Sequence, residues 1–229
     1  MSEIIHPNQE EFKDKKRKYF SDFAMKHLGA FRIHKEQGLL LKKEGWRNVS
    51  EHCLVEAVAA DCLGEGLNLP KESREKLVTG ALLHDFYKRK EIELMRTSGK
   101  TSMDIVKEAE DKGTEYLNLK GIDPEVIKII NSVGASPVDY FETKEPTMEE
   151  KIMHYVDDIT DGNDLAYLKD RLDRVAKRYP DVEKSVYERM FKVSEKIEKE
   201  IADKLGLAEA RELPIYIKRK IEERIKNYK

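Results

Sequence analysis

Cysteine, long apolar runs and an excess of charge of either sign are all scarce or missing in this chain. Only two cysteines occur, Cys53 and Cys62, and a nine-residue separation on one helix turns them to roughly opposite faces, so we do not expect a disulfide between them. Such cysteine usage is typical of a reducing compartment. The polar segment 1–7 contains no apolar signal region, and no run approaches the roughly 18 apolar residues that a membrane span needs. These absences favour a cytoplasmic protein without a membrane segment.

The balance of charge is also informative. Lys and Arg total 43 against 45 Asp and Glu, for a formal net charge of -2, so the chain lacks the basic field of a dedicated nucleic-acid binder. Its most basic segment, residues 13–18, is interrupted by Asp14, and we interpret it as a solvated helix face. Nucleic acid is therefore not an expected partner.

Apolar residues recur at helical spacing almost throughout the 229 residues, and β-branched residues do not gather into strands. The sequence therefore predicts an all-α fold. The first predicted helix covers about residues 10–27. The second begins at a cap, Asn48 or Ser50, and runs to about Leu63 before Gly64 and Gly66, and the third runs from Pro70 to His84. Further helices are predicted over 101–119 and 124–133, from a capping box at Thr147–Glu150, and in three stretches after Asp164.

Three separated segments carry the residues with chemistry. His84 and Asp85 stand side by side after an apolar run, His52 lies alone upstream, and Asp157 and Asp158 form a pair in an otherwise apolar helical stretch. Imidazole and carboxylate ligands suit Mn, Fe, Co, Ni or Zn, and carboxylates also admit Mg. Neighbouring helix residues point about 100° apart, so His84 and Asp85 can hold one ion only where the helix end bends around it. The pattern indicates a metal centre that activates water, although two lone histidines could also be ordinary polar residues.

The order and spacing of these residues resemble the HD superfamily of metal-dependent phosphohydrolases. In that family a first His, a His-Asp pair and a distant Asp lie on the helices of an all-α bundle, and residues 49–160 carry the resemblance. It implies an HD-type metal-binding core over 49–163, an N-terminal helical segment over 1–48, and additional C-terminal helices over 164–229. These last helices could complete the bundle, cover the active-site mouth or form a homodimer interface.

The resemblance also implies roles for particular residues. One divalent metal ion would be held by His52, His84, Asp85 and an aspartate of the later pair, for which the family pattern favours Asp157 over Asp158. Two-metal members supply further histidines between the pair and the last aspartate, whereas this chain has only His154 there. One metal is therefore expected rather than two.

The neighbouring residues suggest how a substrate would bind. The spacing His-Asp-x-x-Lys places Lys88 where related phosphohydrolases contact substrate phosphate. Residues 48–52 resemble the 5'-nucleotidase branch, but that branch carries Glu at the position of Lys88, so its substrate cannot simply be transferred. Arg47 is a further candidate phosphate contact, and Trp46 is a candidate for stacking on a base.

The function that the resemblance implies is hydrolysis of a phosphomonoester or phosphodiester in a nucleotide or another small phosphorylated compound. A metal-activated water would attack phosphorus, Asp85 or a neighbouring acid would accept its proton, and Lys88 would neutralise the phosphate. The alternative is a non-catalytic HD-fold regulatory or binding module that keeps the fold without the chemistry.

Overall fold

A computed structural model describes residues 7–41, 48–133 and 138–229. Its helices are α1 (Pro7–Lys26), α2 (Leu28–Glu36), α3 (Val49–Gly66), α4 (Lys71–Leu83), α5 (Lys88–Thr97), α6 (Ser102–Leu119), α7 (Pro124–Ile130), α8 (Val138–Thr143), α9 (Met148–Ile159), α10 (Leu168–Arg178), α11 (Lys184–Lys204) and α12 (Leu213–Lys226), with a 3-10 turn at Ala210–Glu212. Two short antiparallel strands, β1 (Thr160–Asp161) and β2 (Asp164–Leu165), form a hairpin in which Thr160 lies opposite Leu165. The predicted all-α class is confirmed.

The core forms around α3, α4 and α9. Helix α3 packs against α4, α9 and α12, and α9 packs against α4, α10 and α11. The predicted capping box at the start of α9 is confirmed, because Thr147 Oγ1 accepts from the Glu150 N–H at 3.3 Å and Glu150 Oε2 accepts from the Thr147 N–H at 2.8 Å. The apolar side of α9 is fully buried, with no exposed surface on Ile152, Met153, Val156 and Ile159. The C-terminal helices thus help to complete the bundle.

Helix α3 continues past the point predicted for its end. Gly64 does not stop it, Gly66 is its last residue, and both glycines are placed against other side chains: a Cβ would lie 3.0 Å from Arg74 Cγ at Gly64 and 2.7 Å from Tyr216 Oη at Gly66. The predicted end near Leu63 is therefore three residues short, because Gly64 allows close packing against Arg74 within the helix. Cys53 and Cys62 are both buried, and no disulfide joins them.

Helix α5 lies where the sequence predicts only a charged connection. Of its ten residues only Glu91 is buried, so no apolar stripe marks it. Ion pairs within the helix link Lys88 to Glu91 at 2.9 Å and Lys90 to Glu93 at 3.2 Å.

Within the described ranges, no helix combines the length and the apolar character needed to cross a bilayer.

Candidate metal centre

Three helices bring four potential ligands to one point. Helix α3 supplies His52 in its first turn and Glu56 one turn later, the end of α4 supplies His84, and α9 supplies Asp157. One ligand atom from each of these residues lies within 4.8 Å of the others. We call His52, Glu56, His84 and Asp157 the metal-ligand cluster.

The chain bends where His84 enters the cluster. Helix α4 ends at Leu83, and the Phe86 N–H then bonds to the Leu83 carbonyl at 3.1 Å before α5 begins at Lys88. Because of this bend, the neighbouring side chains approach each other, with Asp85 Oδ2 3.9 Å from His84 Nε2. The bend brings Asp85 near His84, but the four residues whose ligand atoms converge include Glu56 where the sequence predicted Asp85.

Backbone carbonyls fix both imidazoles of the cluster. His52 Nδ1 lies 2.9 Å from the Gly162 carbonyl oxygen, and His84 Nδ1 lies 2.9 Å from that of Ala81. A carbonyl oxygen only accepts hydrogen bonds, so each Nδ1 carries a proton and donates it. A neutral imidazole held in this way presents the lone pair of Nε2, which is the metal-binding form.

Glu56 faces both of these nitrogens. Its side chain is fully buried, with Oε1 2.9 Å from His52 Nε2 and Oε2 3.0 Å from His84 Nε2. Neither oxygen accepts a hydrogen bond from any residue that the structure describes. Carboxylate oxygens this close to imidazole lone pairs repel them, and a cation among them turns the repulsion into attraction. The buried polar atoms therefore fit a metal ion.

Asp157 completes the set. Its Oδ1 lies 3.6 Å from His84 Nε2 and 3.9 Å from His52 Nε2. Two carboxylates with two neutral imidazoles balance a divalent cation, and this mixture of nitrogen and oxygen donors suits Mn, Fe, Co, Ni or Zn.

The Asp158 side chain bonds to a second set of polar groups. It accepts a hydrogen bond from Ser194 Oγ and lies 3.3 Å from His154 Nε2, while His154 Nδ1 donates to the Ser132 carbonyl at 2.8 Å. Burial and the neighbouring Asp157 raise the pKa of Asp158 to about 6. We call His154, Asp158 and Ser194 the Ser194 cluster. The structure thus places Asp157, and not Asp158 or His154, beside His52 and His84.

Asp85 and Lys88 lie at the edge of the metal-ligand cluster. Lys88 Nζ is 3.7 Å from Asp85 Oδ1 and 2.9 Å from Glu91 Oε1, so it lies between two carboxylates. Burial opposes both charges, but the charge of Lys88 lowers the pKa of Asp85, and Asp85 and Glu91 raise the pKa of Lys88. Both groups are therefore ionised at neutral pH.

The other two sequence candidates, Trp46 and Arg47, lie outside the described residues.

A cavity opens beside the cluster. Its polar wall includes His84, Asp85, Lys88, Glu91, Asp157 and Arg171. The remaining wall is largely apolar and comes from α6, α7, α10 and α11, with Met103, Val106, Leu117, Ile130, Val175 and Met190. Phe86, Tyr87, Tyr179 and Tyr187 add aromatic surface. The cavity can therefore receive a molecule with a charged end and an apolar or aromatic body.

Glu56 is the ligand candidate that sequence reasoning missed. No motif marks it, but it lies four residues after His52 and hence on the same helix face. It is also the only acidic residue in the buried segment 53–60. An acid surrounded by residues that must be buried, one turn from a candidate ligand, is the signal that could have identified it.

Comparison with known proteins gives one match. The family model described as HD domain matches residues 49–175, more than half of the chain. No curated protein and no solved structure matches. The matched region contains the whole metal-ligand cluster, together with Asp85, Lys88 and Arg171.

Proposed function

The chain belongs to the HD domain family, and on that basis we propose that it is a metal-dependent phosphohydrolase acting on a small phosphorylated compound. The observation that carries the proposal is the buried Glu56 carboxylate, which faces the Nε2 atoms of His52 and His84 at 2.9 and 3.0 Å without a hydrogen bond from any described residue. Such an arrangement needs a cation, and the cation would lie at the wall of a cavity that can admit a substrate.

The chemistry divides among the residues around that point. A divalent ion bound by the metal-ligand cluster would neutralise a phosphoryl oxygen and lower the pKa of a water. Asp85, which is ionised and lies 3.9 Å from His84 Nε2, accepts a proton from the water that attacks phosphorus. Lys88 keeps Asp85 ionised and adds positive charge at the same wall of the cavity.

The cavity supports a substrate with an apolar or aromatic body. Its lining beyond the charged wall is built of aliphatic and aromatic side chains, among them Val106, Met190, Tyr179 and Tyr187. Aromatic side chains stack on planar rings and cover apolar surface. A nucleotide, with a phosphate at one end and a base at the other, has this distribution of charge.

The test is hydrolysis with and without metal. Chelator-stripped protein is assayed for phosphate or p-nitrophenol release from nucleotides and generic mono- and diesters, with Mn, Co, Ni or Mg added. We expect metal-dependent turnover that falls by at least about 100-fold in Asp85→Asn, the usual size of a general-base contribution. Asp173→Asn, which changes an exposed aspartate of α10 paired with Lys169, is the matched control and should retain activity.

The opposite result has a definite meaning. Stoichiometric metal binding with no turnover of any ester would contradict the enzymatic proposal and favour a non-catalytic HD-fold module. Turnover that survives the removal of metal would contradict the role assigned to the metal-ligand cluster.

A further inference from the structure

Arg171 is a buried cation of the cavity to which the metal chemistry assigns no role. Its side chain is only 6% exposed. It lines the cavity together with His84, Asp85 and Asp157. Val175 and Arg178, which follow at i+4 and i+7 on α10, line the cavity as well, so one face of this helix is directed toward it.

The Arg171 side chain is held in place by the backbone. Its Nε donates to the Thr160 carbonyl at 2.6 Å. Its only ion pair within the described ranges is a long one, 3.9 Å to Asp161 Oδ1, while Arg174 Nε lies 2.8 Å from Asp161 Oδ2. Asp161 is thus paired mainly with Arg174, and the charge of Arg171 has no carboxylate in close contact.

One nitrogen of this guanidinium is left without a partner. Arg171 Nη1 is buried and makes no hydrogen bond to any residue that the structure describes. Burying a charge without close compensation is costly, and the cost falls when an anion binds. A fixed guanidinium with an unused donor, on the wall of a cavity beside a metal site, is suited to receive an anion.

Lys88, the other cation on this wall, is partly buried, and its charge already has close partners. Its Nζ lies within 3.7 Å of Asp85 and 2.9 Å of Glu91, so two carboxylates already balance its charge. Binding a phosphate at Lys88 would have to compete with both. The charge of Arg171 acts on Asp157 and Asp158, but its one ion pair within the described ranges is the long contact with Asp161. Competition from carboxylates is therefore weaker than at Lys88, and the planar fork of Arg171 matches phosphate oxygens better than a single ammonium does.

We propose that Arg171 forms an anion subsite that binds the phosphoryl group of the substrate beside the metal-ligand cluster. This inference rests on the proposed function, because it names how the same cavity holds a phosphate ester. Lys88 then acts mainly through Asp85, and Arg171 provides the direct phosphate contact.

The competing explanation is purely structural. By binding the Thr160 carbonyl, Arg171 also fastens the hairpin whose Gly162 carbonyl holds His52. If Arg171 has only a structural role, its replacement lowers folding stability and metal affinity and has no separate effect on phosphate affinity. The experiment must therefore measure phosphate and metal binding independently.

The probe is inorganic phosphate, titrated by calorimetry into the Mn-loaded full chain, with Mn affinity and thermal unfolding measured in parallel. Arg171→Gln should weaken phosphate binding by more than about tenfold, the usual effect of losing a hydrogen bond to a charged group, and leave Mn affinity close to wild type. Lys169→Gln removes an exposed cation from the same helix outside the cavity, paired with Asp173, and should change neither.

Each outcome decides the inference. Phosphate affinity that is unchanged in Arg171→Gln, that falls only in step with Mn affinity, or that is absent in the wild-type protein would overturn it. If Arg171→Gln does not fold, Arg171→Lys keeps the charge but loses the fork, and it should bind phosphate more weakly at unchanged Mn affinity; unchanged phosphate binding would overturn the subsite.

The subsite and the hydrolytic proposal can fail separately. Phosphate binding that depends on Arg171, in a protein that hydrolyses no ester, would retain the subsite and reject the enzyme. Metal-dependent turnover with wild-type KM and phosphate affinity in Arg171→Gln would retain the enzyme and reject the subsite.

Discussion

Helix α9 supplies an aspartate to each of two buried histidine–carboxylate clusters. The two clusters differ in whether their polar groups have hydrogen-bond partners within the protein. In the Ser194 cluster, Asp158 accepts from Ser194 and His154 donates to the Ser132 carbonyl, so the polar groups have partners within the protein. In the metal-ligand cluster, both oxygens of Glu56 lack a hydrogen-bond donor among the described residues and face imidazole nitrogens. The residue types are alike, but only the second cluster needs a cation.

This difference shows what distinguishes a site from a structural network. A buried polar group is stable when its hydrogen bonds are made within the protein, and costly when they are not. The Ser194 cluster is complete by this criterion and needs no ligand. The metal-ligand cluster becomes complete only when an ion is bound, so stability and ligand binding are coupled there.

The largest expected contrast is between the adjacent aspartates of α9. Asp157→Asn should lower Mn affinity by more than about 100-fold, the upper figure for residues that merely support a ligand. Asp158→Asn should leave Mn affinity unchanged, because its side chain faces Ser194 and His154. Calorimetric titration of both chelator-stripped variants checks this, and equal losses of affinity would remove the distinction between the two clusters.

A fourth buried histidine, His34, sharpens the comparison through the response of its stability contribution to pH. His34 Nε2 donates to the Leu82 carbonyl at 2.6 Å and Nδ1 accepts from Ser50 Oγ at 3.0 Å, so both nitrogens have partners. Burial lowers the pKa of His34 to about 4, against about 6.5 in an unfolded chain. Between these values only the unfolded chain takes up the proton, so His34 makes the fold less stable as the pH falls.

The expected loss from His34 is about 1.5 kcal/mol between pH 6.5 and pH 5.0. Urea unfolding of the metal-free protein at these two pH values measures it, and His34→Gln should show a smaller loss. The same fall in stability in His34→Gln and wild type would show that burial of this histidine is not its cause.

The support of His52 can be weakened without touching a ligand. Gly162 has φ +64, and a Cβ there would meet no atom within 4 Å, so Gly162→Ala introduces only backbone strain of about 1 kcal/mol. Because the Gly162 carbonyl holds His52 Nδ1, we expect Mn affinity to fall about tenfold.

A matched glycine provides the control. Gly206 has φ +71 and equally open surroundings at the end of α11. Gly206→Ala should lose similar stability in urea unfolding and retain wild-type Mn affinity. A similar fall in affinity for both variants would mean that the hairpin has no specific role in holding His52.

The smallest expected effect is a gain in folding stability rather than a loss. In metal-free protein, Glu56→Gln replaces a carboxylate oxygen by an N–H donor that can bond to an imidazole lone pair, so stability should rise by about 1 kcal/mol. Glu198→Gln changes a buried glutamate that already accepts from Tyr155 at 2.8 Å and should not gain stability. If Glu56→Gln instead loses about 3 kcal/mol or more, Glu56 is one partner of a buried ion pair with protonated histidine.

The sequence correctly predicts the elements whose signal lies in residues close together in the chain. Apolar periodicity and capping residues predict α3, α4 and α9, and the order of His52, His84 and the aspartate pair indicates where ligands could come from. Helix α5 has no apolar stripe to reveal it, and the two-residue strands are too short for any alternation. These elements depend on tertiary contacts that a pattern does not contain.

The site residues Glu56 and Arg171 could not be predicted from the sequence for the same reason. Glu56 is one acidic residue in an apolar segment, and its meaning appears only when His84 arrives from α4. Arg171 is one basic residue of a highly charged helix, and it is distinguished by a carbonyl that the hairpin presents. A sequence pattern can identify residues of the right type, whereas the unmet hydrogen-bonding capacity that marks a site is visible only in three dimensions.

The most direct test of this account is calorimetric titration of Mn²⁺ into the chelator-stripped wild-type protein and Glu56→Gln. We expect one ion per chain in the wild type, and affinity at least about tenfold weaker in Glu56→Gln, since a charged ligand is lost. An absence of binding in the wild type, or equal affinity in the two proteins, would contradict the claim that Glu56 and its neighbouring imidazoles form a metal site.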